Sequence, residues 1–244
     1  MPTDSRRENQ LAYLGELAGG LAHEIKNPLS TLKINFRLLR DESRGGDDPR
    51  TLRTLRRLET CEREVERLER IVNDFLRFAR PRELKLEPTR LNDVVEETLY
   101  FLEPEFRQHG IQLRRLFTPD LPFCPMERSL FQQALLNVLV NARQAMEGRG
   151  GELMVRTLLE GDFLALDVID TGEGIPPDRL PRIFQPYFST KQGGTGLGLP
   201  TARRIIEDHG GTITVTSEPG KGTAVRVRLR TSAAGALAPG PPPG

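Results

Sequence analysis

The sequence predicts an α+β protein in two parts: an antiparallel helical hairpin followed by a two-layer α/β sandwich. Three observations carry this. Apolar residues recur at steps of three and four from Leu11 to Leu39, and again from Leu58 to Ala79, the spacing of one helical face. Beyond Pro88, shorter helical stretches alternate with short strands, the pattern of helices packed on a sheet. The chain then closes on GTITVTSE and GTAVRVRL, two strands flanking the turn PGKG.

The first helix carries Leu11, Leu14, Ala18, Leu21, Ile25, Leu29, Leu32, Phe36 and Leu39 on its apolar line, and SRGGDDP (43–49) reads as a loop. The second carries Leu58, Cys61, Val65, Leu68, Val72, Phe75 and Ala79, close to a heptad seam. Its other face is charged, with Glu59–Arg63 and Glu66–Arg70 at pairing distance, and Pro81 ends it. Each helix is about 30 residues, roughly 45 Å. Two such helices leave their seam half open, so the sequence predicts a dimer in which two hairpins make a four-helix bundle. Leu29, Leu32 and Phe36 are expected in its core.

His23 lies two residues from Leu21 and from Ile25, about 200° around the helix from each, and is expected to face solvent. Glu24 beside it can orient the ring or accept its proton. Asn27 is one turn further on the same face. Pro28 lacks an N–H and should bend the helix below the histidine.

In the second part a helix is expected over Leu91–Phe106, a strand over Ile111–Phe117 and a helix over Arg128–Met146. On the last of these, Asn137 and Asn141 share a face. Asparagines cost helix propensity in an interior; their amides can bind a metal's water shell, a phosphate or a base edge, or serve as local polarity. Strands 152–160 and 163–170 follow, the second running into DTGEGIP. A carboxylate at a strand end, Asp170, followed by Gly172 and Gly174, places an acceptor where the backbone comes close to a ligand. STKQGGTG (189–196) reads as a mobile flap containing Lys191, and GTGLGL then opens a helix over about 197–209. The first amides of that helix, with Gly194, Gly196 and Gly198, can cradle phosphates. The spacing is neither a GxxxxGK[ST] loop nor a GxGxxG after a first strand.

The 244 residues suffice for one or two domains with a core. Lys and Arg number 35 against 34 Asp and Glu, so charge gives no reason to expect nucleic acid. Cys61 and Cys124 fit no metal or redox spacing, which favours a reducing compartment. No apolar run approaches the ~18–20 residues of a membrane span and no signal peptide is visible, which argues only for a chain that is soluble and without direct membrane insertion; with the reducing compartment, the expected location is cytoplasmic. The domains expected are a hairpin over 1–80, a linker over 81–87, a sandwich over 88–231 and a disordered Pro/Gly/Ala-rich tail over 232–244.

Together these segments resemble the cytoplasmic catalytic core of a two-component sensor histidine kinase, over about residues 8–230. HEIKNPLS is similar to the H-box, NVLVNARQAM to the N-box, DTGEGIP to the first glycine box, RIFQPYFSTK to the F-box and GGTGLGL to the second glycine box. The NPLS form and short flap look most like the nitrogen-regulation type. The resemblance implies an enzyme that binds ATP and Mg²⁺ in its sandwich domain and phosphorylates itself on His23. It would pass the phosphoryl group to an aspartate on the receiver domain of a response regulator, and could also dephosphorylate that regulator.

It implies that Glu24 helps activate His23 and that Asn27 positions water for the reverse step. By the same resemblance Asn141 binds the metal, with Asn137 nearby, and Asp170 reads adenine beside Gly172 and Gly174. Phe184 and Phe188 would pack the base of the flap. Lys191, Gly194, Thr195, Gly196, Leu197 and Gly198 would hold the phosphates. The same ATP-binding fold also serves other ATPases, which do not explain a histidine on the polar face of a dimerising hairpin, and non-catalytic scaffolds, which predict a degraded glycine box where DTGEG and GTGLG are complete here.

Overall fold

The computed structural model describes residues 25–39, 50–79, 84–189, 191 and 195–232. His23, Glu24, Gly194, the loop at 43–49 and the tail beyond Ser232 lie outside the described residues. The chain divides into two compact units, Met1–Pro81 with Gln185–Leu197, and Arg82–Phe184 with Gly198–Gly244.

The first unit contains helix α1 (25–39) and helix α2 (Arg50–Ala79). Pro28 and Leu32 are buried on α1, Cys61 and Ile71 on α2. A second apolar line stays open: Leu29 and Phe36, then Leu58, Val65 and Val72, are 39–55% exposed. These repeat every seventh residue, so they form one stripe on each helix. Leu29 and Phe36, expected in a core, are therefore uncovered in the single chain. Pro28, four residues before Leu32, falls on the buried line, one position round from exposed Asn27. The expected Glu59–Arg63 pair is replaced: Arg63 donates to Thr60 Oγ1 at 3.1 Å.

The second unit is a five-stranded mixed sheet with helices on one face. Its elements are β1 (Glu87–Thr89), α3 (Leu91–Gln108), β2 (Ile111–Phe117), β3 (Cys124–Met126), α4 (Arg128–Ala145), β4 (Gly151–Glu160), β5 (Phe163–Asp170), a 3₁₀ turn (Leu180–Arg182), α5 (Gly198–Asp208), β6 (Thr212–Glu218) and β7 (Gly222–Arg230). The sheet order is β2-β4-β5-β7-β6; β2 and β4 are parallel and the other pairs antiparallel. The antiparallel pair β1–β3 stands apart as a small ribbon. Neither ribbon strand was expected, because each is three residues long and contains a proline; such runs carry too little period-2 pattern to read.

One face of the sheet is apolar. Leu153 and Val155 of β4, Leu164, Leu166 and Val168 of β5, and Val225, Val227 and Leu229 of β7 point to the helices. They meet Val94, Val95, Leu99 and Phe106 of α3, Leu135 and Leu139 of α4, and Ala202, Ile205 and Ile206 of α5 in one core. Each aliphatic side chain fully buried there contributes about 1.5–3 kcal/mol before entropy is charged. Cys124 lies in the same core, and burial pushes its thiol up to about 12, so it is chemically quiet.

The other face carries charge. Cross-strand neighbours Arg156, Asp167 and Arg226 stand side by side on β4, β5 and β7. Arg226 donates from Nε to Asp167 Oδ1 (2.7 Å) and from Nη2 to Oδ2 (2.9 Å), and Arg156 Nε donates to Oδ2 (2.7 Å). Burial raises the Asp167 carboxyl, but the hydrogen bonds and charges of Arg226 and Arg156 outweigh it and hold it below its usual value. A carboxyl so depressed contributes its stability above its unfolded pKa of about 3.9, and loses it as pH falls through the lower folded value.

Asp167→Asn should therefore cost about 1–3 kcal/mol at pH 7. In urea unfolding the gap to the parent protein should persist down to about pH 4 and close only below it. A gap that closed between pH 7 and 5 would assign the effect to another group.

Candidate functional site

In the second unit the candidate residues come from three places: α4, the turn after β5, and the first residue of α5. Helix α4 begins at an N-cap, Glu127, whose carboxylate accepts from the Ser129 N–H at 3.2 Å and the Ser129 hydroxyl at 2.7 Å. It buries Phe131, Ala134, Leu135, Val138, Leu139 and Ala142. Asn137 and Asn141 sit between those positions and are partly exposed. Their amides face the start of α5: a Cβ placed on Gly198 would stand 3.8 Å from Asn137 Oδ1 and from Asn141 Nδ2. Two helix amides thus border the N-terminal end of α5, the positive end of its dipole.

Asp170 ends β5, and its residue is 5% exposed. Its Oδ1 accepts from the N–H of Gly172 at 2.9 Å and of Thr223 at 3.2 Å. A carboxylate has room for more than two donors, so the same group can also read an amine on a bound ring.

The turn that follows is clamped on two sides. Glu173 N–H donates to the Ala145 carbonyl at the end of α4 (3.1 Å), and Gly220 N–H donates to the Glu173 carbonyl (2.7 Å). Ile175 N–H donates to Ser217 Oγ (2.8 Å), which in turn donates to the Gly222 carbonyl (2.8 Å). No side chain fits inside this clamp. A Cβ on Gly172 would lie 2.7 Å from both Ala145 Cβ and its carbonyl oxygen, and Gly174 has φ +70°.

Residues 185–197 belong to the other unit. There Tyr187 N–H donates to the Gly196 carbonyl at 3.2 Å, with left-handed backbone at both residues (φ 62° and 66°). A Cβ on Gly196 would meet Tyr187 C at 2.5 Å. Lys191 N–H donates to Ser189 Oγ at 3.1 Å. Lys191, Thr195 and Gly196 are partly exposed and Leu197 is buried. Phe184, in the second unit, carries the Arg203 guanidinium over its ring at 5.2 Å.

Among the described residues no three His, Cys, Asp or Glu side chains gather to hold a metal. The amide oxygens of Asn137 and Asn141 are hard donors of the kind that suits magnesium carried with a phosphate ligand. The donor set fits a nucleotide: an acceptor for a base amine, helix amides for phosphates, and amide oxygens for a cation.

The sequence reading did not name Thr223, Ser217 or Gly222 among the site residues. Gly222 and Thr223 lie in GKGT, which reads as a turn and the closing strand, and Ser217 lies in the strand before it; a Cβ on Gly222 would run into the Asp170 carbonyl oxygen.

Comparison with known proteins covers both units. Residues 13–84 match the family described as His Kinase A (phospho-acceptor) domain, and residues 126–233 match that described as Histidine kinase-, DNA gyrase B-, and HSP90-like ATPase. The sensor histidine kinase ZraS of Escherichia coli strain K12 is 36% identical over 226 residues, 93% of this chain and 47% of that protein. Sporulation kinase E of Bacillus subtilis strain 168 is 32% identical over 224 residues, 92% of this chain and 29% of that protein. The chain thus spans about half, or less, of these relatives. Among solved structures, histidine kinase ThkA in complex with the response regulator TrrA aligns with a TM-score of 0.73 and 27% identity, over 94% of this chain and 65% of that one. Full-length ShkA in complex with AMPPNP aligns with a TM-score of 0.61 and 25% identity, over 89% of this chain and 46% of that one.

The clamp makes a prediction of its own. Gly172→Ala should push the turn off α4 and lower stability by about 1–3 kcal/mol. Amide exchange at Glu173 should rise more than exchange in the middle of β5. Equal exchange at both would mean that the turn is not held by α4.

Proposed function

The chain carries the two domains of a histidine kinase catalytic core, and on that premise we propose that it is an ATP-dependent protein-histidine kinase. Its product phosphohistidine would pass the phosphoryl group to an aspartate of a response regulator. One observation carries the reading: a phosphoacceptor-type helical segment and an ATPase-type sandwich lie in one chain, and the sandwich brings Asn137, Asn141 and Gly198 together.

In this mechanism Asp170 accepts the hydrogen bond of the adenine amine, beside Gly172 and Gly174. The amides at the start of α5, from Gly198, meet the phosphates. Lys191, Gly194, Thr195, Gly196 and Leu197 join this role through their place in the sequence just ahead of α5. Asn141, with Asn137 beside it, offers amide oxygen to magnesium. Magnesium bound with the nucleotide supplies charge neutralisation on the phosphates.

His23 attacks the γ-phosphorus through a neutral ring nitrogen, Nε2 by family resemblance. The bond to the β–γ bridging oxygen breaks, and ADP leaves with its electron pair. Glu24 holds the proton of the other ring nitrogen. A receiver aspartate then takes the phosphoryl group and His23 is restored. Asn27, exposed on α1, positions water for regulator dephosphorylation.

The open stripes on α1 and α2 support a homodimer joined through Leu29, Phe36, Leu58, Val65 and Val72. The domain limits proposed are a hairpin to about 80, a linker over 81–87 and a nucleotide domain over 88–231. The NPLS form after HEIK supports the nitrogen-regulation type.

His23→Gln should abolish labelling from γ-labelled ATP while calorimetry still registers ATP binding. Normal labelling of that variant would sink the assignment, and acid-stable label would point to a different ATPase of this fold. Asp170→Asn keeps an oxygen for the two backbone amides, so its melting curve should move little. Its ATP affinity should fall by about tenfold, or ~1.4 kcal/mol. Asn27→Ala should slow dephosphorylation of a phosphorylated receiver far more than it slows autophosphorylation; equal slowing would make Asn27 a structural residue.

A further inference from the structure

His209 follows α5 directly, and its ring is buried. Each ring nitrogen faces a backbone group of fixed role. The Glu127 N–H donates to Nε2 at 3.0 Å, and Nδ1 lies 2.7 Å from the Ile205 carbonyl oxygen. An amide only donates and a carbonyl only accepts, so Nε2 accepts and Nδ1 donates in this pair of contacts.

Glu127 is the N-cap of α4. A capping box would satisfy its amide with a Glu or Gln three residues on, but that position holds Leu130. An imidazole from the end of α5 does that work instead. Phe131 meets the ring edge-on at 6.4 Å.

The small cavity between these helices and the sheet is apolar. Ala134, Leu135 and Val138 of α4 and Ala202 and Ile206 of α5 line it together. Apolar burial is non-directional and tolerates small slides, whereas a hydrogen bond is directional. The pin is at one end of the helix pair. At the other end Gly198 faces Asn137 and Asn141.

We propose that His209 is a positioning residue for the phosphate side of the nucleotide site. Its ring ties the start of α4 to the end of α5, and so sets where the α5 amides stand against the two asparagines. The inference rests on the nucleotide site proposed above. Asp170, on β5, lies outside the pinned pair, so recognition of the base is independent of the pin.

The test uses the full chain at neutral pH, titrated with Mg-ATP and separately with adenosine. His209→Phe keeps a ring without nitrogens; His209→Gln keeps one acceptor and one donor. His209→Phe should weaken Mg-ATP by about tenfold and leave adenosine within about twofold, while His209→Gln restores most of the loss. A second pair reaches the same contact from α4. Glu127→Pro removes the donated N–H and should weaken Mg-ATP as His209→Phe does, whereas Glu127→Ala keeps the N–H and should weaken it less.

Unchanged Mg-ATP binding in His209→Phe, equal losses for Mg-ATP and adenosine, or equal losses in Glu127→Pro and Glu127→Ala would overturn the proposal. A parent chain that bound no Mg-ATP at all would instead overturn the nucleotide site itself.

Discussion

The contact between Gly172 and Ala145 constrains everything around the candidate site. The backbone after β5 comes so close to the last turn of α4 that no side chain can stand between them. This approach lets the Glu173 amide reach the Ala145 carbonyl. It also sets the distance between the carboxylate on β5 and the asparagines on α4. The β6–β7 hairpin closes the clamp from the other side through Gly220, Ser217 and Thr223. A binding residue on a strand end is usually as loose as its loop. Here the loop is held by backbone bonds to both neighbours, so Asp170 is as fixed as the sheet.

The two units differ in how complete they are. The sandwich closes its own core with three helices on one sheet face. The hairpin does not, because its heptad stripes stay open along α1 and α2. A kinase of the proposed kind needs that difference. In the proposed kinase, nucleotide binding would fall to the unit with its own core, and the acceptor helices would cover their stripes with a second copy. Folding of the acceptor and assembly of the dimer then become one equilibrium.

Much of this was legible in the sequence. Strands 111–117 and 163–170 fall where their alternation put them, and among the described residues the longer elements beyond α1 differ only at their ends. The seam was legible as a period but not as a partition: Leu29, Leu32 and Phe36 share it, yet only Leu32 is covered within one chain. Period reports which face is apolar, not what covers it. The carboxylate, the asparagines and the glycines could be named because their types are costly where they stand. Contacts made by backbone atoms could not. Thr223 supports Asp170 with its N–H, and Glu127 meets His209 the same way. Every residue but proline has that amide, so no residue type announces it. The 3₁₀ turn and the ribbon β1–β3 were too short to carry a pattern.

The Arg156–Asp167–Arg226 row has a meaning beyond its ion pairs. β5 turns Leu164, Leu166 and Val168 to the helices and Asp167 to the other side. A slip of one residue against β4 or β7 would turn Asp167 into the helix layer and strand both guanidiniums. Correct pairing is thus distinguished from its nearest rivals by an uncompensated charge as well as by lost apolar packing. The row works as an error check on assembly, written on the side of the sheet away from the helices. It guards the alignment that sets Asp170, three residues along the same strand, beside Thr223.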